Sequence, residues 1–286
     1  MSDDSPAVRL CLNCSAELIG PYCAQCGQRD QHRRVPLKHL LHDVLHDLWH
    51  FDAKVFSTLW LLIRRPGFLA ADYLEGRRVR HVPPFRLYVV VSFVSFALLA
   101  LISGGVKVST RTPPASAVSS TAETNRAPDI GPSKPSSDPA WVLELNRRGQ
   151  LAAQHPEALK KAFLGGLSKV MFLLMPAFAG LLFLLHARKT GTYFVDHMIL
   201  SLHFHTVAFL VILALRALSL APESSGGGCL ALLLFAAPPV WLTLALQHLH
   251  RRGWFRSFAK MALALGLYGL MVSAALLAVL WLSLPS

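Results

Sequence analysis

The chain has 286 residues, of which 53% are hydrophobic and only 15% charged, and its mean hydropathy is +0.43. That balance excludes an ordinary soluble domain and a disordered chain, and it points to a membrane protein. A net charge of +12 then belongs in loops that face anionic lipid headgroups, and no nucleic-acid partner is expected.

Residues 1–34 hold four of the five cysteines, as Cys11-x2-Cys14, eight intervening residues, and Cys23-x2-Cys26. A CxxC turn brings two thiolates onto one ion, and two such turns complete a tetrahedral sulfur shell suited to Zn2+. Gly27 supplies the permissive backbone that follows a second knuckle, and Gly20-Pro21 turns the loop back. With four sulfur ligands no coordination position stays open, so the zinc would be structural. Iron in the same shell, two disulfides, or four unliganded thiols are the alternatives; paired CxxC units favour metal and a reducing compartment. The segment has few basic residues and no recognition helix, against DNA binding. The first thirty-odd residues lack an apolar core of the signal-peptide kind, so no cleaved leader is expected.

Residues 35–84 read as an amphipathic interfacial helix followed by a basic juxtamembrane segment. Leu37, Leu40, Leu41, Val44, Leu45 and Leu48 recur at helical spacing, between Pro36 and Pro66. Phe56, Leu59, Trp60, Leu61, Leu62 and Ile63 form its more deeply buried end. The polar face carries His39, His42, Asp43, His46, Asp47, His50 and Asp52. It could hold a metal or sense pH, but an ordinary polar face at a membrane surface explains it more simply. In residues 64–88, Arg77, Arg78, Arg80 and Arg86 could grip headgroup phosphates or only set topology.

Five apolar runs of about 20 residues follow, each long enough to span a bilayer. They are residues 85–104, 167–187, 198–220, 229–249 and 258–284. Between the first two lies a long loop, 105–165, rich in Ser and Pro up to about residue 140 and then holding a short helix or two. Arg188 and Lys189 lie between spans two and three, and Arg251, Arg252, Arg256 and Lys260 between four and five. With the arginines before span one, all three basic loops fall on one side, which places the N-terminus in the cytoplasm and the C-terminus outside. Lys107, Arg111, Arg147, Arg148, Lys160 and Lys161 on the long loop pull the other way, but long loops translocate with less regard to charge.

Span three opens TYFVDHMILSLHFHT. Asp196 and His203 are seven apart and share a helical face; His197 and His205 lie roughly on another, and His203 and His205 point apart. Ionisable groups in a span are costly, so these four form a candidate intramembrane polar site for a proton, an ion or a metal. The plainer reading is helix-to-helix hydrogen bonding, with Asp196 and His197 capping the helix start. Cys229 reads as a small buried apolar residue. No nucleophile-elbow, P-loop, zinc-protease or dinucleotide motif is present, and no catalytic set is assigned.

These readings describe an all-α polytopic membrane protein of about five transmembrane helices, preceded by a zinc-ribbon knuckle and an interfacial helix. Three stretches resemble DUF3667, a family of uncharacterised bacterial membrane proteins. They are Cys26-Gly27-Gln28 ending the CxxC pair, RRPGFLAADYLEGRRVRHVPPFRLY, and YFVDHMILSLHFHT. Asp196 stands where the family more often has Glu, which keeps the carboxylate. The resemblance implies an inner-membrane protein with an N-terminal zinc ribbon and implies no activity. Three functions then remain. The first is a membrane-anchored binding, assembly or regulatory module whose cytoplasmic ribbon docks a protein partner. The second is a transporter or ion-conducting protein using Asp196, His203 and His205. The third is a membrane enzyme acting on a lipid-linked substrate.

Overall fold

The computed structural model describes residues 9–30, 54–104, 139–154, 156–186, 193–220, 227–250 and 253–284. The expected His39–His50 face and the Ser/Pro-rich part of the long loop lie outside them. The described residues form eight helices: α1 Lys54–Arg64, α2 Phe68–Leu74, α3 Pro84–Gly104, α4 Ala140–Gln154, α5 Pro156–His186, α6 Phe194–Leu218, α7 Gly227–His250 and α8 Trp254–Ser283. Among the described residues there is no strand, only two isolated bridges in the cysteine segment.

By length and composition α6, α7 and α8 can each cross a membrane, and shorter apolar stretches, Pro84–Leu99 and Phe172–His186, stand at the first two expected spans. The helix of the second expected span, α5, begins upstream of the apolar run at Pro156, a residue that costs no hydrogen bond at a first helical position. Helix α6 is the centre of the bundle. It packs on α3, α5 and α7, whereas α8 packs on α5 and α7. Over their most apolar stretches α6 is 56% buried and α8 only 11%, so the outer helix presents Leu263, Leu270, Leu277 and Leu282 outward. A patch of that kind has no place in water and fits lipid. Cys229, expected buried, is exposed to its surroundings at the start of α7.

Helices α1 and α2 pack against the bundle, α2 on α6 and α7. The described part of the expected interfacial helix, α1, buries Val55, Thr58 and Leu62 on one stripe. Phe56, Trp60 and Ile63, expected at the end that sinks deeper into the membrane surface, are exposed on the other side, uncovered by the described residues. The helix is apolar all round its lower end, and the protein covers only one side of it.

The turn between α1 and α2 explains the Arg65-Pro66-Gly67 sequence. Leu62 is in the last turn of α1, so its carbonyl would look to residue 66 for a donor, and Pro66 has no N–H. The indole Nε1 of Trp241 in α7 donates to that carbonyl instead, at 2.7 Å in a buried setting. Trp241→Phe keeps most of the packing but strands the carbonyl, and is expected to cost about 1–3 kcal/mol. A lowered unfolding temperature of the purified protein in detergent would show it.

Candidate functional site

The cysteine segment is built as two copies of one turn, twelve residues apart. Cys11 N–H donates to Ala16 O and Ser15 N–H to Cys11 O; Cys23 N–H donates to Gln28 O and Gly27 N–H to Cys23 O. The bridges Leu10–Glu17 and Tyr22–Arg29 repeat with the same offset. Ser15 (φ +62°) and Gly27 (φ +71°) occupy the left-handed position after each CxxC. The four Sγ atoms lie within 4.8 Å of one another, with Cys11–Cys26 at 3.6 Å and Cys14–Cys23 at 3.4 Å. A tetrahedral ion with metal–sulfur bonds of about 2.3 Å needs edges of about 3.8 Å, so the donor set fits a four-sulfur metal site. None of the cysteines forms a disulfide. The backbone N–H of Cys26, opposed by desolvation and helped by that of Gln25, lowers the Cys23 thiol to about 6. At Cys14 the N–H of Ala16 acts in the same direction, but the neighbouring Cys23 thiol and the other cysteines prevail and push it up to about 12. A central cation would remove that mutual opposition and draw all four toward thiolate.

The knuckle is clamped to the membrane-proximal segment. Gln28 is buried; its Nε2 donates to Gly76 O at 2.8 Å and its Oε1 accepts from Arg78 N–H at 3.1 Å. Gly76 (φ +94°) turns the chain just after α2, and a Cβ there would come within 2.6 Å of Leu12 Cδ1 in the knuckle. So the Gln28 that ends the second CxxC turn and the Gly76-Arg77-Arg78 turn are complementary halves of one contact.

Beneath that turn sits Asp72, only 2% exposed, paired with Arg77 and 3.4 Å from His81 Nε2. Arg77 also bonds Glu75, and the Asp72 hydrogen bond leads in raising its already high pKa. Desolvation lowers that of His81, against the pull of Asp72. Sequence reading singled out the arginines here but not Asp72 or His81. Arg78 lies over the Tyr73 ring, Arg80 is exposed, and Arg86 holds Nε and one terminal nitrogen buried with no hydrogen-bond partner.

The four polar residues of span three go separate ways. Asp196 Oδ2 accepts from Tyr193 N–H at 3.0 Å and caps α6. His205 is satisfied at both nitrogens, Nδ1 donating to Ser201 O at 2.8 Å and Nε2 accepting from the Tyr268 hydroxyl at 2.9 Å. His203 is buried, and its Nδ1 has no hydrogen-bond partner. No hydrogen bond joins Asp196, His203 and His205 to one another among the described residues. His197 instead meets two histidines that sequence reading passed over, His186 at the end of α5 and His250 at the end of α7. The one signal for them was their place at helix ends beside the basic loops.

The fold and these sites define a helical membrane protein with a four-cysteine knuckle clamped onto the segment that leads into its first span. Residues 52–96 match the model of the DUF3667 family, which is described as a protein of unknown function. Of the three stretches that carry the resemblance, the match covers the one from Arg-Pro-Gly to Pro-Phe. No curated protein and no solved structure matches the chain.

Proposed function

We propose that the protein is a multi-pass anchor of the bacterial inner membrane whose zinc-loaded knuckle docks a cytoplasmic protein. The observation that carries this reading is the fixed presentation of an apolar surface. Gln28 and Leu12 hold one side of the knuckle on the Gly76 turn. Away from that contact, Ile19 is 91%, Tyr22 59% and Leu10 57% exposed. A closed four-sulfur site does no chemistry on a substrate, and a fold this small serves to present a surface. Exposed apolar side chains on a rigid scaffold are what a protein interface uses.

The orientation rests on the basic loops. The Lys and Arg of the short loops fall on the knuckle side, where Arg80 is exposed, while those on the far side, Arg147 and Arg148 among them, belong to a long loop, which translocates with less regard to charge. The thiols also call for a reducing compartment. Anionic headgroups are the lipid partner of that face.

A photo-crosslinking side chain at Ile19, activated in native membranes, tests the reading. One discrete protein adduct is expected, lost in Leu10→Asp/Tyr22→Asp while the knuckle keeps its metal. Adducts to lipid alone, or the same adduct in that double variant, would overturn it.

A further inference from the structure

We infer that His186, His197 and His250 form a second metal site, distinct from the cysteine knuckle, which takes a divalent transition ion through three imidazoles and leaves one position open. The three residues come from three helices that end or begin together: the last residue of α5, the first turn of α6 and the last residue of α7. Their ligand atoms lie within 4.8 Å of one another. The His186 and His250 rings stack at 4.1 Å between centroids, and His197 stands 5.3 Å from the first and 5.9 Å from the second.

The hydrogen bonds already made choose the ligand atoms. His186 Nδ1 lies 2.8 Å from Leu182 O and His197 Nδ1 3.1 Å from Tyr193 O. A carbonyl only accepts, so both Nδ1 atoms carry the proton, and in the neutral ring that makes Nε2 the ligand atom. A ring N–H on a backbone carbonyl is the usual second support of a metal-bound histidine. The His197 residue is 2% exposed, and its Nε2 is buried with no hydrogen-bond partner. A buried lone pair with nothing to accept is costly. A metal ion among the three rings would give it a partner.

The donor set selects the ion. Among the described residues the cluster is three imidazoles with no carboxylate, a donor set that suits zinc, cobalt, nickel or copper and suits magnesium or calcium poorly. Asp196, the nearest carboxylate in sequence, is engaged in capping α6. Three protein ligands leave a fourth position for an exchangeable ligand, the pattern of reactive rather than structural sites. A cavity of about 590 Å³ adjoins the site, lined by His186, His250, Arg256 and Lys260 on its polar part and by apolar side chains such as Leu246 and Phe255 on the rest. The Lys260 ammonium donates to Leu185 O at 2.8 Å, so it is held in place beside the cavity. The site is open where the knuckle is closed, so the two ions would differ in exchange and in spectrum.

The test uses the full chain in detergent, stripped with a chelator under reducing conditions and titrated with Co2+. Two equivalents are expected, one giving thiolate charge-transfer bands and the other only ligand-field bands. His197→Gln and His250→Gln should each lose the second equivalent and keep the thiolate bands, which also shows that the variant is folded. Cys23→Ser should lose the thiolate bands and keep the second equivalent. His248→Gln, on an exposed residue of the same turn of α7, should keep both. Saturation of the unaltered protein at one equivalent, with every band lost in Cys23→Ser, would overturn the inference, whatever the histidine variants do. So would a second equivalent that persists in both His197→Gln and His250→Gln.

Discussion

Cys23→Ser is expected to unfold residues 9–30 while leaving the helical bundle intact. The knuckle's own core is Cys11, Leu18 and Cys23, with Ala16 and Cys26 packed on it. So small a core cannot by itself offset the entropy of ordering the chain, and a bound ion would supply the difference. Structural zinc in such folds contributes about 10–16 kcal/mol, and loss of one of four sulfurs removes enough of it to release the segment. Cys23 is 2% exposed and its backbone N–H holds Gln28 O, so its loss also loosens the Gln28 clamp on Gly76. Limited proteolysis should cut the variant before residue 30 and spare the spans, and chelation of the unaltered protein should give the same pattern. A segment that stays protease-resistant after both treatments would mean that no metal holds it.

Gly67→Ala is expected to be the most damaging single-methyl change in the membrane-proximal region. Gly67 has φ +80°, where a side chain is strained, and its Cβ would lie 2.9 Å from both Cα and O of Ala245 in α7. Neither backbone atom can swing aside as a flexible side chain could. The two penalties together come to about 3 kcal/mol or more. Gly266→Ala is the control. It adds the same methyl where nothing lies within 4 Å, in the middle of α8, and there alanine favours helix by about 1 kcal/mol. Unfolding temperatures in detergent should fall for the first variant and hold or rise for the second. Equal temperatures would refute the close approach of the α1–α2 turn to α7.

The two glycines of that segment show where sequence reading stopped. Pro66 marks the end of the expected interfacial helix in the sequence, and α1 does end just before it, at Arg64. What the sequence could not supply was the neighbour. Gly67 is a glycine because α7, nearly 180 residues downstream, passes against it, and Gly76 because Leu12 of the knuckle does. The arginines around them looked like a lipid-facing set. Arg77 is instead committed to a buried carboxylate, and the single Asp72 gave no pattern by which to find it.

Local chemistry was legible from the sequence alone. The knuckle was, because both halves of its ligand set are short-range turns whose spacing is their geometry. The helical membrane class was too, because an apolar run long enough to span reports hydrocarbon thickness directly. The rotation of each helix about its axis was settled only by tertiary packing, which depends on every helix at once. That rotation sets His205 against Tyr268 and brings His197 to His186 and His250. The ends of three helices, eleven and fifty-three positions apart in the chain, share no period a reader could count. They meet because the bundle folds their termini to one end.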